Sequence, residues 1–149
     1  MVTDSEVQVF IDGIKHYFDT VSDSKAVVGT PYLIDAVEAP SNDYVGIINV
    51  SGIRNGSVYF SSARAMLRHL LVSLGEVKVS SELVLDIVGE VTNTISGNVR
   101  ENFGSQFIIS VPIIKEKSSG VLVGTQHDKA FTIPFRWKTY TGHLVVCLN

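Results

Sequence analysis

The stretch SSELVLDIVGEVTNTISGNVRENFG, residues 80–104, carries the longest helical pattern in the chain. Ser80 or Ser81 can cap its start, Glu82 puts acid in the first turn, and Gly104 stops it just past Phe103. At about 100° per residue, Val84, Val88, Val91, Ile95 and Val99 share one face, with Leu85 and Ile87 at its margins. That face is the core side. Asp86, Glu90, Asn93 and Gly97 fall within an arc of about 60° on the opposite side.

An ordinary solvated face is the plain reading of such a line, but two details argue against it. Solvated stripes use Lys, Arg or Gln and Glu–Lys pairs four apart, whereas this one meets no base before Arg100 at its margin. Thr92, Asn93, Thr94, Ser96, Gly97 and Asn98 are also mediocre or poor helix formers, and a mid-helix Gly costs about 1 kcal/mol against Ala. A helix that gives up propensity on its exposed side is shaped for something to come close.

Outward from this helix the pattern changes on both sides. Upstream, residues from about Ser5 to Thr20 repeat Val7, Phe10, Ile11, Ile14, Tyr17 and Phe18 at helical spacing. Gly29 and Pro31 break that pattern, and Pro31 to Val37 is short and β-compatible. Tyr44 to Val50 and Ser57 to Phe60 flank Asn55-Gly56, a hairpin signal because both residues tolerate positive φ. Ser61 or Ser62 then caps a helix through Ala65, Met66, Leu67, Leu70, Leu71 and Leu74, with Gly75 as its stop.

Downstream the texture is β: Phe107 to Lys115, Val121 to Gly124, Lys129 to Lys138 and His143 to Leu148, with the turn-rich Lys117 to Gly120 among the separators. Phe131, Ile133, Phe135 and Trp137 alternate with Thr132, Pro134 and Arg136, which predicts a strand with one buried face. Pro112 and Pro134 mark edges or bulges. The order predicts a single α+β domain over residues 1–149, with helices packed on a mostly antiparallel β-sheet.

Composition bounds the function. The 149 residues are 45% hydrophobic and 18% charged, enough for a sizeable core. No run reaches the roughly 18 apolar residues of a membrane span, and the start of the chain lacks a signal-peptide pattern. One cysteine, Cys147, excludes an internal disulfide and fits a cytoplasmic protein. Twelve basic against fifteen acidic residues leave a net charge of −3, against sequence-independent nucleic-acid binding.

The string Asp86-Ile-Val-Gly89-Glu90-Val-Thr-Asn93-Thr-Ile-Ser-Gly97-Asn98 resembles the signature helix of the CheC/CheX/FliY group of bacterial chemotaxis phosphatases: Glu, two residues, Asn, and a small residue one turn on. Asn49 to Gly52, through Asn55-Gly56 to Val58-Tyr59-Phe60, is similar to the strand pair of the CheX branch, and the resemblance covers nearly the whole chain. One such motif is visible, as in that branch. The resemblance implies a phosphatase acting on the phospho-aspartate of a CheY-type response-regulator receiver. Asn93 would orient the attacking water, and Glu90 would dock the receiver's active-site lysine. Asp86 and Gly97 would contact the partner. The chain would have no cofactor or metal of its own, any Mg2+ being the receiver's, and would form a homodimer.

Other features carry no site. His16, His69, His127 and His143 are scattered without HExxH or paired spacing. There is no G-x-S-x-G elbow, Gly120 to Gly124 lacks a phosphate-loop pattern, and Asp86 with Glu90 on one helix does not make a paired-carboxylate cleft. Cys147 reads as an inert buried thiol and Trp137 as core. Two alternatives stay open: a non-catalytic dimeric adaptor that binds a receiver or other signalling protein, and an unrelated α+β domain whose stripe is merely solvated.

Overall fold

The structure, a computed structural model, describes residues 2–116 and 129–149. The expected strand Val121 to Gly124, the turn Lys117 to Gly120 and His127 lie outside the described residues. Helix α1 spans Asp4–Val21 and opens on a capping box: the Glu6 amide donates to Thr3 Oγ1 at 3.2 Å while the Thr3 amide donates to Glu6 Oε1 at 2.9 Å. Helix α2 spans Arg64–Ser73 and α3 spans Ser81–Phe103. Ser80 caps α3 by accepting from the Leu83 amide at 3.2 Å, and Gly104 ends it at φ 94°.

The cap of α2 differs from the sequence expectation. Neither Ser61 nor Ser62 serves; Ala63 holds the cap position, and the Asp43 carboxylate accepts from the Arg64 amide at 2.9 Å. Ser61 is already committed to the Asn42 amide at 2.6 Å, and Ser62 donates to the Ala63 carbonyl at 3.1 Å.

The strands are β1 (Ala26–Val28), β2 (Tyr32–Asp35), β3 (Tyr44–Gly52), β4 (Gly56–Ser62), β5 (Phe107–Ile109), β6 (Ile113–Glu116), β7 (Lys129–Trp137) and β8 (Tyr140–Leu148). They form one antiparallel sheet in the order β1-β7-β8-β4-β3-β5, with β2 also on β7 and β6 also on β3. Helices on an antiparallel sheet make the fold α+β, as the element order predicts.

The main core lies between the helices and one sheet face. Phe10, Ile14 and Phe18 of α1, Met66, Leu67 and Leu70 of α2, and Val84, Val88, Val91, Ile95 and Val99 of α3 meet Ile48, Phe60, Ile133, Phe135, Trp137 and Leu144 of the sheet. The opposite face is not simply solvated, contrary to the single buried face expected of β7. Ala130 and Thr132 of that strand are buried there, and Ala130 joins Val45, Ile47, Tyr59, Val145 and Cys147 in a second apolar cluster. Ala36 and Ala39 pack against it, and Tyr59 donates to the Pro40 carbonyl at 2.7 Å, pinning the crossing chain.

The β3–β4 hairpin is present, but its turn is longer than the two residues Asn55-Gly56. Ser51 and Gly52 remain in β3 to pair with Ile108 and Phe107, so β3 outruns β4 and the positive φ falls on Gly52 (91°) and Gly56 (141°) instead of Asn55. Pro134 sits inside β7, paired with His143, at the break between β1 and β2, where the Gly29 amide donates to its carbonyl at 2.8 Å. Its missing N–H therefore faces a gap in the ladder.

Candidate functional site

What seats α3 is close approach. Gly46 of β3 has no side chain because a Cβ there would lie 2.1 Å from Thr92 Oγ1 and 3.1 Å from Val88 Cγ1. Thr92, buried in that contact, satisfies its hydroxyl by donating to the Val88 carbonyl at 2.7 Å. On the flank, Gly13 of α1 brings its backbone against Ile95 and Val99, with a Cβ position 3.4 Å from Val99 Cγ2. Sheet and neighbouring helix together fix the rotation of α3.

That rotation leaves the polar line outward. Asp86, Glu90 and Asn93 are exposed and Gly97 is half-buried. None of the three polar side chains has a hydrogen bond or ion pair among the described residues. A Cβ on Gly97 would meet nothing within 4 Å, so the surface beside it is open. Glu90 and Asn93 stand one turn apart, about 4.5 Å of helix rise, and project the same way. An exposed carboxylate can take a cation, and the neutral amide beside it can accept a hydrogen bond from a water and orient it without acting as a base.

The sequence reading missed the second wall. Asp86, Gly89, Glu90 and Asn93 line one side of an open groove of about 630 Å³, and Ile109, Ser110, Val111, Pro112 and Ile114 line the other. The single strand expected over Phe107 to Lys115 is in fact two: β5 ends with Ile109 opposite Val50, and β6 begins with Ile113 opposite Ile47. Ile48 and Asn49 are thus opposed by Ser110, Val111 and Pro112, which makes a bulge. Pro112 was the available signal, since a proline cannot donate to the ladder. Further along, Asn93, Gly97, Arg100 and Ile109 line a continuation of the same trough, and Arg100 Nε donates to the Phe107 carbonyl at 3.1 Å.

Behind the line, Tyr17 of α1 is buried and its hydroxyl has no hydrogen-bond partner among the described residues. Burial pushes its pKa up, and the negative charge of Glu90 adds to the shift.

The remaining candidates stay apart. His16 is exposed, His69 Nδ1 lies 3.1 Å from the Tyr140 hydroxyl, and burial lowers the pKa of half-buried His143. Among the described residues no three His, Cys, Asp or Glu cluster in a way that could hold a metal ion. Trp137 is core, its Nε1 donating to the Ser24 carbonyl at 3.1 Å, and buried Cys147 donates to the Lys129 carbonyl at 3.5 Å. Among the described residues no helix is long and apolar enough to cross a membrane.

The family model of the chemotaxis phosphatase CheX matches residues 44–136, a span that holds the hairpin, α3 and both walls of the groove. No curated protein sequence matches the chain. Among solved structures, the chain is similar to a CheX from Desulfovibrio desulfuricans at 20% identity and TM-score 0.83, covering 97% of this chain and 99% of that one. It is also similar to a CheX from Vibrio vulnificus at 17% identity and TM-score 0.81, over 97% and 99% of the two chains. A third is the CheX of Borrelia burgdorferi, solved in complex with CheY, BeF3 and Mg2+, at 15% identity and TM-score 0.78, over 97% of each chain.

Proposed function

We propose that this chain, which belongs to the family of the chemotaxis phosphatase CheX, hydrolyses the phospho-aspartate of a CheY-type receiver domain. The observation that carries the proposal is the pair Glu90 and Asn93, exposed, without a hydrogen bond or ion pair among the described residues, and one turn apart on the open side of α3. The Borrelia relative bound to CheY supports the choice of partner.

An acyl phosphate already has a good leaving group, so its hydrolysis needs mainly one water held in line with the breaking bond. In this reading the Asn93 carbonyl oxygen accepts a hydrogen bond from that water and aims it at phosphorus. Glu90 pairs with the receiver's lysine and sets the register. Gly97 leaves clearance for the receiver backbone, and Asp86 contacts its rim. Mg2+ comes with the receiver, held by the receiver's own acids. The protein works as a cytoplasmic homodimer, and the outer edge of β1–β2, which pairs with no further strand among the described residues, offers backbone for the contact.

The test follows loss of the phosphoryl group from a phosphorylated CheY-type receiver with Mg2+ present. Wild-type protein accelerates it, and N93A loses about 10²- to 10⁴-fold in turnover while binding is retained; E90A also weakens docking. Binding without acceleration would make the protein an adaptor. Neither binding nor acceleration would return the stripe to solvent.

A further inference from the structure

We propose that the bulge Ser110–Val111–Pro112 is a second receiver-recognition element, gripping an apolar patch beside the receiver's phosphorylation site; this rests on the phosphatase reading above. Three observations converge on it.

The bulge is built, not slack. The Asn49 amide donates to Ser110 Oγ and the Ser110 amide donates to the Asn49 carbonyl, both at 2.9 Å, so the strand leaves and rejoins β3 at fixed points. The extra residue has nowhere to go but outward. Val111 is accordingly 82% exposed, more than Val27 of β1 at 57%, whereas Val45, Val50, Val58, Val145 and Val146 in the rest of the sheet are buried.

Val111 and Pro112 form the wall directly across the groove from Glu90 and Asn93. A group seated in this groove at Asn93 lies beside them. The groove is also chemically divided. Its helix wall carries the carboxylates Asp86 and Glu90 beside Leu85, its strand wall is apolar apart from Ser110, and among the described residues no Lys or Arg lines this part of the trough. Its complement is a surface with a cation on one side and an apolar side chain on the other. An exposed apolar wall adjoining a polar, reactive line is the anatomy of an interface: apolar contact for affinity, charge for register.

The assay is steady-state dephosphorylation of a CheY-type receiver, with calorimetric binding to the BeF3-loaded receiver beside it. V111S removes the apolar contact without burying anything new; its melting temperature stays within about 2 °C of wild type, since surface changes of this kind are small. KM and Kd rise about five- to tenfold while kcat is unchanged, an effect of the order expected for losing a valine's burial. V111D raises them further, whereas V77D, at the remote, fully exposed Val77, leaves both as in wild type. N93A gives the opposite split, low kcat with near-normal Kd.

Unchanged KM and Kd in V111S and V111D overturn this inference alone. Wild-type binding without turnover overturns the phosphatase reading, and the Kd of V111S then still decides the bulge. A wild-type protein that binds no receiver overturns both.

Discussion

Replacing Gly46 by Ala is the sharpest probe of how α3 is held. Gly46 does not use a positive φ, so the backbone has no objection to Ala, and Ala in a strand would by itself gain about 0.5–1 kcal/mol over Gly. Packing reverses that sign. The new methyl would sit 2.1 Å from Thr92 Oγ1, 3.0 Å from Thr92 Cβ and 3.1 Å from Val88 Cγ1, well inside the contact distance of about 3.5–4.0 Å. Thr92 cannot swing away cheaply: it is buried, β-branched, and tied to the Val88 carbonyl at 2.7 Å. Relief requires α3 to lift off β3, and overpacking of this severity costs about 3 kcal/mol. For a chain of this size that lowers Tm by about 6–12 °C. Urea and thermal unfolding measure it directly. In G46A/T92A the hydroxyl is gone, so the double variant is more stable than the sum of the singles by more than about 1 kcal/mol. A G46A protein as stable as wild type would show that α3 does not rest on β3 at this glycine, and the orientation of Glu90 and Asn93 would lose its physical basis.

Two further perturbations test α1, the helix that packs against α3. Glu6 feels burial, which raises its pKa, but the Arg54 guanidinium and the Thr3 capping bonds outweigh it and hold the carboxyl below its usual 4.5. Its contribution is therefore complete above pH 4.5 and is lost as pH falls through the depressed folded value. E6Q keeps the capping box but not the ion pair; it loses about 1 kcal/mol at neutral pH, and urea titrations show the gap to wild type closing in acid. In Y17F, removal of a buried hydroxyl without a partner among the described residues leaves stability unchanged or raised by up to about 1 kcal/mol; a loss above about 1 kcal/mol in thermal unfolding would refute this.

Local signals were the legible ones. The apolar faces of α1 and α3 follow from periodicity, and Ser80 and Gly104 bound α3 through chemistry within one turn of the chain. The outward line Asp86, Glu90, Asn93 and Gly97 follows from the sequence because a helix fixes which residues oppose its core face. What escaped were features set by partners distant in sequence. Asp43 caps α2 across 21 positions, which no window around Ser61 reveals. The Asn55-Gly56 turn lengthens because β5, more than a third of the chain away, claims Ser51 and Gly52. The second wall of the groove depends on the register of β5 and β6 against β3, and Ser110 finds Asn49 over 61 positions. Half of the candidate site was thus written in one helix, and half in a pairing that exists only after folding.

The position of β8 has a consequence for the order in which the molecule can be assembled. This strand, which follows all the others described, lies between β7 and β4 in the interior of the sheet. Before it arrives, β1, β2 and β7 form one ladder and β3 to β6 another, with no backbone bond between them among the described residues. A nascent chain can therefore make both fragments, yet Phe135 and Phe60 cannot share one core surface until Tyr140–Leu148 has left the ribosome. Cooperativity arrives with β8, and until then the facing edges of β7 and β4 wait unpaired, the condition under which chains associate wrongly with one another.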